Sequence, residues 1–302
     1  AIKGLDCPTD FTGMTGMGAA GSTPYIATDY FSFSYGDESA GERFIDAQYV
    51  SSTEYVWTTM MGDHTVFGVN FADGRIKGYG LTIMGSDKTF FVQCVRGNPD
   101  YGVNDFVDNG NGTVTDIATG MMWDQNDNLA AVIWGDALTW VENRNAEGYL
   151  GDDDWRLPNI KELQSILDYT RSPYTGSTAA IDPVFNVTAI TSEPCITDYP
   201  WYWSGTTHMS YDGGGHSGNY MSFGRALGYF DTSWHDVHGA GAQRSDSKDG
   251  NMTGYTLQDF GYYNSNAPQG DAVRAGDYVR LVRRADGHLP ADFRRDPPQP
   301  TD

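Results

Sequence analysis

Alternation of apolar and polar positions dominates the chain, and only two stretches carry a helical period. Phe106 to Asp116 alternates and turns at Asn-Gly, which predicts a hairpin, and Met121-Met122-Trp123 predicts the strand that follows it. Trp134, Ala137, Leu138 and Val141 recur at helical spacing, giving an amphipathic helix. A second helix is predicted after Trp155-Arg156-Leu157-Pro158, with Asn159 as N-cap, Glu162 completing a capping box, and Ile160, Leu163 and Leu167 buried. Trp155 and Leu157, which flank that capped start, are predicted core.

The chain also repeats itself. Gly74-Arg75-Ile76-Lys77-Gly78-Tyr79 and Gly224-Arg225-Ala226-Leu227-Gly228-Tyr229 share Gly-Arg-x-x-Gly-Tyr after an aromatic. Upstream, Tyr55 to Thr59 matches Tyr202 to Thr206 in character, and downstream Phe91 to Arg96 matches Tyr278 to Arg283. The second copy is longer by a segment from about His235 to Asp271, rich in Gly, Ser, Asp, Asn and Tyr and without a clear period, which reads as an expanded loop. The first copy lacks the two helices. The expected organisation is a β-rich partial repeat over residues 1–98, a linker over 99–104, a complete α+β domain over 105–284 and a Pro-rich tail over 285–302.

Particular runs carry a family resemblance. Phe106 to Trp123, with its Gly-Thr-Val-Thr-Asp, then Trp155-Arg-Leu-Pro-Asn-Ile-Lys-Glu-Leu163, Tyr202-Trp-Ser204 and Tyr278-Val-Arg-Leu-Val-Arg283 together resemble the Lcl C-terminal domain family of bacterial exported proteins. The resemblance implies a C-type-lectin-like fold, with two helices packed on small antiparallel sheets and long loops on one side. It also implies surface binding, extracellular or at the cell surface, as in an adhesin that recognises sulfated glycans. That ligand does not carry over to a chain with a formal net charge of −21.

The same charge repels phosphate backbones and anionic headgroups, so nucleic acid is not an expected partner. No apolar run reaches the length of a membrane span. Ala1-Ile2-Lys3-Gly4 lacks the hydrophobic region of a signal peptide, so export implies that such a segment has been removed. Cys7, Cys94 and Cys195 cannot all pair within one chain. A Cys7–Cys94 disulfide with Cys195 a buried free thiol is the expected state, three reduced thiols the alternative.

Asp108, Asn109 and Asn111 supply hard oxygen ligands of the kind calcium takes, although turn chemistry alone accounts for Asn-Gly. His235 and His238 are read as exposed loop histidines. Trp234, Tyr255, Tyr262 and Tyr263, in the expanded segment, are candidate contacts for a glycan or protein surface. No nucleophile elbow, zinc-protease motif or nucleotide fingerprint is present. The formylglycine-generating relatives of this fold use cysteines near the C-terminal end, and none follows Cys195. A non-enzymatic binding protein is therefore expected. The alternative is a self-assembling subunit whose headless first repeat is completed by another copy, with Phe31 to Tyr35, Phe67 and Phe71 at the contact.

Overall fold

The computed structural model describes residues 23–83, 85–209 and 214–285. Strands β1 (Gln48–Thr59), β2 (Asp63–Asn70) and β3 (Arg75–Gly80) form an antiparallel meander. Then come β4 (Phe106–Asp108), β5 (Thr113–Asp116) and β6 (Met121–Asp124), followed by α1 (Trp134–Ala146), α2 (Ile160–Ser165) and the single turn α3 (Pro173–Gly176). The remaining main strands are β7 (Trp201–His208), β8 (Ser217–Ser222), β9 (Leu227–Phe230), β10 (Ser233–Asp236), β11 (Gln243–Ser247), β12 (Thr256–Gln258), β13 (Gly261–Tyr263), β14 (Ala272–Val273) and β15 (Val282–Arg284). The chain is β-rich α+β, built from small antiparallel sheets with few helices.

Local sequence chemistry sets the elements around the helices. In the β4–β5 turn, Gly110 and Gly112 take positive φ (71° and 88°), a conformation that side-chain-bearing residues rarely adopt. Strand β15 pairs with β6, placing Val282 opposite Trp123 and closing a four-stranded sheet. Helix α2 starts on the expected capping box: Glu162 N donates to Asn159 Oδ1 (3.0 Å) and Asn159 N donates to Glu162 Oε2 (2.8 Å). It ends at Ser165, so Leu167 is buried from the loop beyond it. In α1 the inward positions are Ala137 and Val141, whereas Leu138 is 36% exposed.

Trp155 and Leu157 lie in the core beneath these helices. Asn145 clamps Trp155 at both backbone groups, and the indole Nε1 donates to the Tyr149 carbonyl (2.8 Å). Leu157→Ala is expected to cost about 2 to 5 kcal/mol in denaturant unfolding, because it empties buried volume. Leu138→Ala should stay within about 0.5 kcal/mol. Equal losses would contradict this placement of the core.

The largest sheet has the order β1-β2-β3-β11-β8-β7, so strands from residues 48–80 and 201–247 form one surface. Its halves correspond about the central Ile76–Gln243 pair. Tyr49 bridges Phe91 in parallel, as Tyr202 bridges Tyr278. Val50 N donates to the Phe91 carbonyl (3.1 Å) and Trp203 N to the Tyr278 carbonyl (2.9 Å). Ser51 Oγ donates to the Phe67 carbonyl (2.7 Å) and Ser204 Oγ to the Asn219 carbonyl (2.8 Å). The register breaks directly after Val50 and directly after Trp203.

These bonds correct the alignment read from the sequence. Tyr49, not Tyr55, stands where Tyr202 stands, and the counterpart of β3 is β11, beyond the β9–β10 hairpin. Alternating strands tolerate several even offsets of pattern, and only the backbone ladder selects one. The difference between the halves is therefore split into the β9–β10 hairpin and the segment after β11.

Phe67 corrects a second expectation. It is 2% exposed, with its ring 4.6 Å from Tyr169 and 5.8 Å from Tyr55, inside the main core with Leu163, Ile166 and Phe223. Its own chain covers it, so its ring is not open to a neighbouring copy. Phe71 is half-buried, edge-on to Tyr49 at 5.0 Å. Phe33, Tyr35 and Phe44 pack over Ile45, Ala47 and Ala72, while Phe31 stays exposed. With these contacts made within the chain, the apolar face that motivated assembly is largely covered.

Candidate functional site

The segment after β11, expected to be an irregular loop, forms the three-stranded sheet β12-β13-β14. Its aromatics mostly face inward. Trp234 packs against Tyr229 (5.3 Å) and Tyr263 (6.2 Å), joins the core cluster around Trp201 and Leu227, and is half-buried. Tyr255, Tyr262 and Tyr263 are also half-buried, with Tyr262 placed in the ladder between Leu257 and Val273. The ring that stands out is Phe260, 80% exposed at the tip of the β12–β13 turn, where Asp259 has φ 54°. Its place in the two-residue turn between Gln258 and Gly261 was the available signal, and the neighbouring tyrosines obscured it.

Phe260 borders a cavity of about 510 Å³, which Ile190, Glu193, Trp201, Arg274 and Asp277 also line. Trp201 is stacked on Tyr220 (4.6 Å, 2° between planes), and the Arg274 guanidinium lies over its ring, 3.7 Å from the centroid. Glu193 grips that guanidinium in a fork, accepting from Nε at 2.8 Å and from Nη2 at 2.9 Å. Burial opposes ionisation of Glu193, but Arg274 outweighs it and holds the carboxyl below the usual range. Arg274 N donates to Asp246 Oδ2 (3.1 Å).

Asp277 is the odd member. It is 1% exposed, and neither carboxyl oxygen has a hydrogen-bond partner. Burial first, then the charge of Asp246, pushes its carboxyl well above the ordinary value. Asp246 is itself pushed up to about 7, chiefly by burial.

A second buried polar group lies nearby. His238, expected to be exposed, is 3% exposed, with Nε2 2.6 Å from Asp271 Oδ1. Arg244 pairs with the other Asp271 oxygen and approaches His238 Nε2 at 3.1 Å. Burial lowers the imidazole to about 3. Cys195 lines the cavity and is exposed, contrary to the buried thiol expected, because it sits on the turn after Ser192 at φ 58°. Cys94 is exposed, and the Cys7 half of the predicted disulfide lies outside the described residues.

The candidate calcium residues are engaged in closing their hairpin. Asp108 Oδ1 accepts from Gly110 N (2.8 Å), Asn111 Oδ1 accepts from Thr113 Oγ1 (2.7 Å), and Asn109 Nδ2 donates to Thr113 and Thr115 hydroxyls. Among the described residues, no group of three or more His, Cys, Asp or Glu side chains could hold a metal ion, and no helix is long and apolar enough to cross a membrane.

Fold and cavity together describe a β-rich α+β chain in which the β12–β13 turn and the segment after β14 border a cavity. Residues 112–238 match the model of the Lcl C-terminal domain, the family to which the sequence motifs pointed. No curated protein and no solved structure matches the chain. The matched stretch holds both main helices, Glu193 and Trp201 but ends at His238, so Phe260, Arg274 and Asp277 come from beyond it.

Proposed function

We propose that this chain is an exported, non-enzymatic binding protein, with a C-type-lectin-like domain over residues 105–284 and an incomplete copy of its sheet ahead of it. Its target is a glycan or a protein surface, taken up by the face that the β12–β14 sheet builds. The observation carrying this reading is the cavity beside exposed Phe260, lined among others by Asp277, whose buried carboxyl is unpartnered. Concave sites with apolar walls and a few convergent polar groups are where ligands usually bind. The matched bulges and Ser51 and Ser204 bonds support the incomplete copy. Export rests on the family, whose members are exported surface domains.

The test is binding of the whole chain to immobilised panels of neutral glycans and of basic proteins. Phe260→Ala should weaken the interaction about tenfold or more, as loss of an aromatic anchor does. Tyr101→Ala, which alters a residue 91% exposed in the 99–104 segment, should leave it unchanged. Equal binding by all three proteins would remove the cavity face from consideration.

A further inference from the structure

The cavity carries a charge problem that indicates its ligand. Three buried acidic side chains, Glu193, Asp246 and Asp277, lie around the Arg274 guanidinium; Glu193 already occupies its fork, and the second guanidinium acting on Asp246, that of Arg244, is paired with Asp271. Arg274 makes no hydrogen bond to Asp277, whose two oxygens are both without a donor. A buried carboxyl left in that state is costly to ionise, so its proton is held more tightly than on an exposed carboxyl. What the wall lacks is therefore a hydrogen-bond donor and a positive charge together.

We propose that the cavity receives a primary alkylammonium group that donates to Asp277, and that its source is a lysine side chain on a basic partner protein. This rests on the reading above in using the same cavity. An anionic group would meet Asp246 and Asp277 with the Arg274 fork already taken by Glu193. A hydroxyl could donate a bond but brings no charge to stabilise the ionised carboxylate, whereas an ammonium does both and makes a charge-assisted bond to it. The remaining walls suit the stem: Ile190, Ala131 and Phe260 offer apolar surface to four methylenes, and Tyr278 adds a second ring near the cation. The chain's formal net charge of −21 attracts a basic protein and repels an acidic one.

The proton balance is explicit. The lysine arrives as an ammonium and keeps its protons, and whatever proton Asp277 holds before binding goes to the solvent as the carboxylate forms. Binding should therefore release protons, no more than one for each lysine bound.

Isothermal titration of the whole chain near neutral pH uses Nα-acetyl-lysine N-methylamide as probe, with its Nε-acetylated form and glucosamine as comparators. The expected result is binding of the lysine probe about tenfold or more tighter than of either comparator, with a heat that varies with buffer ionisation enthalpy as proton release requires. Asp277→Asn, which keeps shape, should abolish the proton release and weaken the probe by a similar factor. Phe260→Ala, at an exposed position, should weaken it without affecting the fold.

Equal binding of the acetylated probe, an unchanged affinity in Asp277→Asn, or no binding of the lysine probe would each overturn the proposal. Tighter binding of glucosamine would overturn the lysine source in favour of an amino sugar. The two readings fail separately. Capture on the panels that depends on Phe260, without binding of the lysine probe, leaves the binding-face reading standing and removes this one. Binding of the probe with panel capture indifferent to Phe260 does the reverse.

Discussion

Replacing Arg280 by methionine should destabilise the chain by about 3 to 5 kcal/mol in urea unfolding, although the apolar stem is nearly preserved. Arg280 is fully buried, and its guanidinium donates to three backbone carbonyls: those of Asp124 (2.8 Å), Gln125 (2.8 Å) and Asn186 (2.6 Å). It joins the end of β6 to the loop carrying Asn186, between the rings of Phe185 (5.2 Å) and Tyr202 (5.4 Å). Methionine fills the space but leaves the carbonyls without donors, and each such loss costs about 1 to 3 kcal/mol. Arg156→Met is the comparison. That side chain is 46% exposed and pairs with Glu162 at 2.7 Å, so its loss should cost no more than about 1 kcal/mol. Similar losses in the two variants would show that the Arg280 bonds are not what secures this junction.

Stability should fall as pH rises from about 5 to about 7.5, the reverse of ordinary acid denaturation. Burial raises Asp124 to about 6 and both Asp236 and Asp246 to about 7, and drives Asp277 well above its usual value. An acid with a raised folded pKa holds its proton in the folded state after the unfolded chain has lost it. Its contribution is present below the unfolded pKa and is lost as pH rises through the folded one.

Other groups oppose this in the lower part of the window and below it. His238, lowered to about 3, favours the folded state increasingly up to its ordinary range, and Glu193 and Asp271, both lowered, act only at acid pH. The raised acids outnumber the histidine across the stated window, and each net proton contributes about 1.4 kcal/mol per pH unit. Melting temperatures across the window would check this. Asp236→Asn should flatten the dependence, because an amide can keep the bonds from Ala226 N and Gly239 N and donate to Tyr55 Oη. A melting temperature that rises steadily with pH would contradict the buried acids as the source.

The features that were legible in the sequence are those whose causes are local. The β4–β5 hairpin follows from Asn-Gly and its neighbours, and the start of α2 from Asn159 and Glu162, because turn and cap bonds close within a few residues. Trp155 and Leu157 were recognisable as core from the element they flank. The family motifs lie on the same segments, which is why the resemblance was visible and residues 112–238 match.

Tertiary packing decided the rest. Trp57 and Trp203 are the same residue type in similar strands, yet one is 48% exposed and the other fully buried, because only the β7 side receives the α1 layer and the Val132 carbonyl. Phe67 is covered by Tyr169, and the order of the six-stranded sheet depends on the Ile76–Gln243 pair. Most telling is Asp277. Among 40 acidic residues its letter is unremarkable. Its state is set by burial and by Asp246, Glu193 and Arg274, brought together from separate segments, and the electrostatic environment of a carboxyl depends on distance in space rather than along the chain.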